Sequence, residues 1–227
     1  MIKRLFDITV ASVALIMAVP FVMAAACGIK LSSPGPTLFC AHRVGRDGTP
    51  FTMFKLRTMH VSQNEASSIT SPEDNRIFPF GKLIRKLKID ELPQFWNILN
   101  GDMSLVGPRP EAPNIVEKYY TDWMRETLQI RPGVTSPGAI YSYLMADRLI
   151  NDNDPEGSYA RKLLPPKLAL ERAYLERANF FSDIGYVLLT MWAILAHVLG
   201  RDVRLPETDI SNAHRWAPHG AYPSDFT

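Results

Sequence analysis

Between residues 85 and 110 the chain gathers three cations (Arg85, Lys86, Lys88), two adjacent carboxylates (Asp90, Glu91) and an arginine set between prolines (Pro108-Arg109-Pro110). These residue types suit work on a phosphate ester. An ionised carboxylate can attack phosphorus, nearby cations can neutralise its oxygens, and a rigid guanidinium fork fits a phosphate better than a flexible ammonium does. The spacing supplies the frame. Leu92, Phe95, Trp96 and Leu99 recur at i, i+3, i+4 and i+7, which predicts a helix over 92–99 that Gly101 stops. Asp90 and Glu91 are then expected at the helix start, where Pro93 is tolerated and where the macrodipole and the cations favour the ionised carboxylate. Residues 103–106 read as a short apolar strand leading into Gly107-Pro108-Arg109-Pro110, a turn with two fixed φ angles. An Asp-Glu pair ahead of an amphipathic run reads by itself as a helix cap. The strand and the clamped arginine move the reading toward an active site.

Three longer segments carry a resemblance. Lys88-Ile-Asp-Glu-Leu-Pro-Gln-Phe-Trp-Asn97, Gly101-Asp-Met-Ser-Leu-Val-Gly-Pro-Arg-Pro110 and Arg131-Pro-Gly-Val-Thr135 resemble the bacterial sugar transferases, the monotopic phosphoglycosyl transferases. Lys3-Arg-Leu-Phe-Asp7, Phe54-Lys-Leu-Arg-Thr-Met59, Asn75-Arg-Ile77 and Phe80-Gly81 extend the likeness, in order, across roughly residues 1 to 200. The resemblance implies transfer of a sugar phosphate from a nucleotide diphosphate sugar, expected to be UDP-linked, to polyprenyl phosphate, with Asp90 as nucleophile. Mg2+ is expected to neutralise the diphosphate, anchored by Asp90 and Glu91, and Glu91 is a candidate to deprotonate or orient the lipid phosphate. Lys55, Arg57, Lys88 and Arg109 are expected to contact substrate. Arg131 is expected near substrate or in holding its loop, and Glu171, three residues before Tyr174, stands where the family often has Asp before an aromatic. Alternation of Lys55 and Arg57 with Phe54 and Leu56 also fits a solvated strand face. Ser136-Pro-Gly-Ala-Ile140 departs from the family pattern, and the acidic, turn-rich 151–157 reads as an insertion; both are candidates for shaping substrate specificity.

The elements that must position these residues follow from the rest of the chain. Its 227 residues, 46% hydrophobic, allow one domain plus a membrane element. A net charge of +2 argues against a general nucleic-acid binder, and two cysteines, Cys27 and Cys40, make no disulfide framework, which suits a reducing cytosol. Residues 8–29 form an almost uncharged apolar run of 22 broken by Pro20, with Lys3 and Arg4 before it and Lys30, Arg43 and Arg46 after it. A single-pass helix and a cleaved leader ending at Ala24-Ala-Ala-Cys27 both fit such a run, although Asp7 is odd in a leader. Charge on both sides, with the resemblance, points instead to a re-entrant helix that bends at Pro20.

Beyond it, 32–36 read as a turn cluster, 37–40 as a strand, 43–48 as a hairpin turn and 51–59 as the returning strand. Residues 61–74 read as a mobile loop over a substrate. The basic, amphipathic 81–87 fits either a membrane surface or a solvated helix face. Residues 112–128 and 166–177 are expected to be helices. A second apolar stretch, 180–199, is expected to be buried or interfacial rather than spanning. The tail from 206 is expected to be poorly ordered or to lie against the domain. The fold class is therefore α+β: an N-terminal re-entrant helix over 1–31, a small catalytic domain of helices and short strands over 32–205, and a tail over 206–227. It is expected on the cytoplasmic face of a bacterial inner membrane, in contact with membrane lipids, with a homodimer compatible but not required. A membrane-anchored binder of anionic lipid or nucleotide and a metal-dependent phosphohydrolase are the competing classes.

Overall fold

The computed structural model describes residues 2–61, 69–71, 74–217 and 222. The N-terminal helix α1 (Ile2–Ser32) runs through Pro20, which forfeits the hydrogen bond to the Ile16 carbonyl without ending the helix. Both of its ends are fastened to the domain that follows. Near the start, Lys3 Nζ donates to the Val106 carbonyl (3.1 Å) and to Asp183 Oδ2 (2.6 Å), and Arg4 donates to the carbonyls of Ile98 and Leu99. Asp7 is buried and accepts from Ser104 Oγ (2.8 Å) and the Leu105 backbone N–H (3.1 Å). Near the end, Ala25 and Ile29 pack with Leu56, Phe78 and Ile84, while the backbone and hydroxyl oxygens of Ser33 accept from Arg57. Lys3, Arg4 and Asp7, the charges ahead of the apolar run, are thus tertiary pins.

An antiparallel hairpin, β1 (Leu38–Val44) and β2 (Pro50–Leu56), is paired from Leu38 opposite Leu56 to Val44 opposite Pro50. The first strand runs further than expected, so Arg43 lies in the strand and the turn is the short helical segment Arg46–Gly48. Then come α2 (Pro79–Lys86), α3 (Gln94–Asn100) and β3 (Ser104–Val106). Gly101 ends α3 at φ 98°, a left-handed conformation that only glycine adopts without cost. β3 pairs in parallel with β4 (Gly133–Thr135). Gly107 and Gly133 cross so closely that a Cβ on Gly133 would sit 2.2 Å from the Gly107 nitrogen, so no side chain fits there.

The single helix expected over 112–128 is two, α4 (Pro113–Tyr119) and α5 (Asp122–Arg125), followed by a 3-10 turn. The break is at Tyr120, whose extended backbone (ψ 122°) accompanies burial of its ring in the core. Residues 137–149 form α6 (Pro137–Leu149), capped by the Ser136 hydroxyl. After α7 (Pro155–Ser158), α8 (Leu164–Arg177) is the most buried helix and packs against α6. α9 (Phe180–Val198) begins with an Asn179 capping box, and α10 (Glu207–Ala213) folds onto the domain. Part of the tail therefore lies against the core, with the Tyr222 hydroxyl on the Pro166 carbonyl (2.9 Å). The loop expected over a substrate falls largely on 62–68 and 72–73, outside the described residues.

Two helices, α1 and α9, are long and apolar enough to cross a membrane by length and composition. Each leaves large apolar side chains exposed, Ile16, Met17 and Phe21 on α1 and Phe181, Leu188 and Trp192 on α9. Their polar contacts, Asp7 and Asp183, are turned inward.

Candidate active site

Asp90 and Glu91 are not in the first turn of a helix. Lys88 adopts a left-handed backbone (φ 57°), which breaks the chain after α2, and Ile89–Glu91 form a separate 3-10 turn, with the Glu91 N–H on the Lys88 carbonyl and the Leu92 N–H on the Ile89 carbonyl. Helical bonding resumes only with Phe95 and Trp96, because Pro93 has no N–H to give. The carboxylates are therefore held by a sharp turn instead of a helix dipole, and this separates their electrostatics.

Glu91 is clamped. Its oxygens accept from both terminal nitrogens of Arg109 (3.0 and 2.5 Å), with Lys88 Nζ at 3.3 Å and Lys55 Nζ at 3.8 Å. Burial pushes its carboxyl up, but Arg109, Lys88 and Lys55 outweigh burial and hold it well below the usual range. Asp90 behaves oppositely. Burial, reinforced by the charge on Glu91, raises it against the pull of Lys55, Lys88 and Arg85. At Asp90, then, burial and the neighbouring Glu91 work against the cations that were expected to favour the charged form. Asp90 is 7% exposed and its Oδ1 has no hydrogen-bond partner; both polar atoms of Gln94, one turn on, are in the same condition.

The cations are positioned by buried polar contacts. Asn97 on α3 donates to the Thr52 carbonyl (2.7 Å) and accepts from the Phe54 N–H (3.0 Å), fixing the strand that carries Lys55. Lys88 Nζ lies 4.6 Å from the centre of the Tyr143 ring. The Arg109 turn is braced by Gly133 N–H on the Pro108 carbonyl and by Glu171, which accepts from the Arg109 N–H (3.3 Å) and the Ser136 hydroxyl (2.6 Å). Burial pushes the Glu171 carboxyl up to about 7, against the Ser136 bond. Next to the turn, Glu111 is buried and accepts from Tyr159 and Lys167, a cluster that no local motif announces.

Lys82, Arg85, Lys86, Lys88, Glu91 and Arg109 are among the residues that line a cavity of about 760 Å³. Lys55, paired with Glu91, adjoins this cluster, and Asp90 lies in the same turn. Two expected substrate contacts lie elsewhere. Arg57 is buried, with its donors on Pro36 and Met59 carbonyls and on Ser33, so it ties the end of α1 to the hairpin. Arg131 is exposed and donates to the Gly101 carbonyl (2.8 Å), bracing the loop after α3. Glu171 reaches the site only through the Arg109 backbone.

Lys55 gives the site a pH signature. Burial lowers its pKa to about 8, against the pull of Glu91. A lysine binds an anion in its protonated form, so kcat/KM for an anionic substrate is expected to fall as pH rises through about 8. In a Lys55→Arg variant, charged throughout, that alkaline limb should vanish from the pH profile; a limb that persists unchanged would assign it to another group.

For Mg2+, the donor set fits in part. Asp90 Oδ1 is a buried carboxylate oxygen with no partner, whereas the Glu91 oxygens are already taken by Arg109. Among the described residues no group of three His, Cys, Asp or Glu that could hold a metal ion converges.

Fold and site together set a largely buried carboxylate pair and a cluster of cations beside a cavity that residues of two exposed apolar helices also line. The chain belongs to the bacterial sugar transferase family, whose pattern matches residues 1–197. It is 34% identical over 197 residues to the UDP-glucose:undecaprenyl-phosphate glucose-1-phosphate transferase of Caulobacter vibrioides, covering 85% of this chain and 69% of that one. It is 40% identical over 150 residues to the UDP-N-acetylgalactosamine-undecaprenyl-phosphate N-acetylgalactosaminephosphotransferase of Aeromonas hydrophila, covering 64% of this chain and 35% of that one. A sugar transferase of Bacillus subtilis, EpsL, is 32% identical over 194 residues, covering 86% and 87%. The chain thus spans about a third of the Aeromonas relative and more than two thirds of the other two.

Proposed function

We propose that this protein transfers a sugar phosphate from a UDP-linked sugar to polyprenyl phosphate, through a covalent intermediate on Asp90. The observation that carries this reading is a partnerless buried carboxylate oxygen on Asp90 next to three cations gathered on Glu91, two of which, Lys88 and Arg109, line a cavity with residues of α1 and α9. In the first step a carboxylate oxygen of Asp90 bonds to the sugar-linked phosphorus as the bond to the bridging oxygen breaks, and UMP leaves with that oxygen. In the second, an oxygen of the lipid phosphate bonds to the same phosphorus and the Asp90 carboxylate is released, giving a polyprenyl diphosphosugar. Two displacements replace one difficult encounter between anions. Glu91, kept ionised, holds Arg109, Lys88 and Lys55 on the side where phosphate oxygens gather. Mg2+, when bound, would be held by the free oxygen of Asp90 together with substrate phosphate oxygens, and would supply charge neutralisation for the diphosphate and the leaving phosphate.

The anchoring of α1 supports a re-entrant insertion. Lys3, Arg4 and Asp7 at one end and Ile29 and Ser33 at the other hold to one domain, an arrangement that suits a helix entering and leaving through a single face of the bilayer. That face is the cytoplasmic one in this reading, where soluble nucleotide sugar meets lipid-borne phosphate.

The test is a panel of nucleotide sugars given to the chain in sealed inside-out membrane vesicles with Mg2+ and polyprenyl phosphate. Lipid-dependent UMP release without detergent is expected. Release without lipid would instead mean hydrolysis, and no release from any donor would mean binding alone. In the same vesicles, with Cys27 and Cys40 replaced, an impermeant maleimide should reach single cysteines at both Ile2 and Leu31; protection of one of them defeats the re-entrant topology.

A further inference from the structure

Gln94 opens the inward face of α3 and is fully buried, yet neither polar atom of its carboxamide has a hydrogen-bond partner. The helix does not lack the means to satisfy such a group. Asn97, one turn further along the same face and equally buried, donates to the Thr52 carbonyl and to Asp102 Oδ2 (3.2 Å) and accepts from the Phe54 N–H. One carboxamide is thus consumed by the fold, and the other is left over. A buried amide without partners opposes folding, because the water it gives up is not replaced. The unused one stands four residues after Asp90, and the backbone between them stays right-handed through Leu92 and Pro93. That spacing sets the two side chains beside each other, with Cβ atoms roughly 5–6 Å apart, the separation at which a glutamine and a carboxylate on one helix face can bond. Asp90 Oδ1 is likewise shut off from water and without a partner. An ionised carboxylate oxygen is an acceptor and the Gln94 Nε2 carries two donors, so the two orphaned groups complement each other, and rotation about the side-chain bonds of Gln94 can join them.

We infer that Gln94 is a positioning residue for the nucleophile: its Nε2–H donates to Asp90 Oδ1 during reaction and so fixes the plane of the carboxylate with Oδ2 toward phosphorus. This rests on the transferase reading above and adds to it the group that aims the attacking oxygen. As Asp90 is loaded, the Oδ2–phosphorus bond forms and the bond to the bridging oxygen breaks; on transfer the Oδ2–phosphorus bond breaks and the carboxylate recovers its charge, which the same N–H shares through Oδ1. A donor directed at an oxygen whose charge changes during reaction acts in the transition state rather than in the binding of the nucleotide sugar. Asn97 serves the fold and Gln94 serves the reaction, although they are the same kind of group on one face of one short helix.

The experiment sets catalysis against stability. Gln94→Met removes the carboxamide and keeps its length and approximate volume. The full-length variant and the unsubstituted protein are compared in detergent, without lipid, by the rate and donor dependence of phosphosugar loading followed by intact mass, and by melting temperature without donor. Loading should slow about 10²-fold with the donor KM within about twofold, the pattern of a lost transition-state donor. The melting temperature should hold or rise, since no hydrogen bond is lost and an unpaired buried amide is removed. An amide that served only the fold would behave in the opposite way, lowering the melting temperature and leaving the folded protein to load at a near-normal rate. Gln94→Glu, which keeps the outline of the side chain and replaces its donors with an acceptor, should slow loading at least as much. Loading within about threefold of normal in either variant, or a melting temperature lower by several degrees in Gln94→Met, overturns the role. Absence of loading in the unsubstituted protein would instead remove the transferase reading beneath it.

Discussion

Asp90→Asn is expected to reduce turnover by at least about 10⁴-fold while leaving the protein folded, the order of loss seen when a covalent nucleophile is removed. The amide keeps the shape of the side chain but cannot carry the negative charge that attacks phosphorus. Folding should not suffer, because the Asp90 Oδ1 makes no hydrogen bond and the carboxyl already sits in surroundings that oppose its ionisation. A neutral isostere there should hold or slightly raise the melting temperature. Intact-mass measurement with donor alone should show an added phosphosugar on the unsubstituted chain and none on the variant. Turnover within tenfold of normal by the Asn protein would exclude a covalent role for this residue.

Arg109→Lys should cost more than retention of charge suggests, about 10²-fold in kcat/KM. The guanidinium spans both Glu91 oxygens at 3.0 and 2.5 Å, a two-point contact that one ammonium cannot reproduce. Removing a preorganised donor from a site where charge develops costs roughly 10²–10³ in rate. Full truncation to Ala is the harsher change. It leaves Glu91 with only Lys88 and Lys55, and breaking a buried pair is destabilising by about 3–5 kcal/mol, so the Lys variant is the informative one for catalysis. Kinetics at saturating Mg2+ decide the matter, and an unchanged kcat/KM would reduce Arg109 to a brace for Glu91.

The local parts of the site were legible in the sequence. The 92–99 periodicity, the Gly101 stop and the strand before Pro108 all appear, because each depends on neighbours within a few residues. The placement of Asp90 and Glu91 was not legible, since it depends on a left-handed Lys88 and nothing in Lys-Leu-Lys-Ile marks a non-glycine residue for that conformation. Arg57 misled for a related reason. Its alternation with Leu56 resembles a solvated strand face, but β2 ends at Leu56 and the next residue turns inward to Ser33 and Pro36. The positioning residues Asn97, Glu111 and Lys167 act across 45, 48 or 56 positions of the chain, distances at which periodicity carries no information. For the same reason Asp7 looked out of place in an apolar run, although the structure gives both of its oxygens partners.

Those partners bear on how the molecule is assembled during synthesis. Asp7 leaves the ribosome 97 residues ahead of Ser104, and Lys3 180 residues ahead of Asp183. Until those segments exist, the carboxylate and the ammonium have no protein groups to replace their water, and sinking them early into lipid would be expensive. The first two turns of α1 therefore gain their native polar partners only after β3 and α9 have been made. The Lys3–Asp183 pair can close only once α9 has been made, so the start of the chain completes its native contacts late in synthesis.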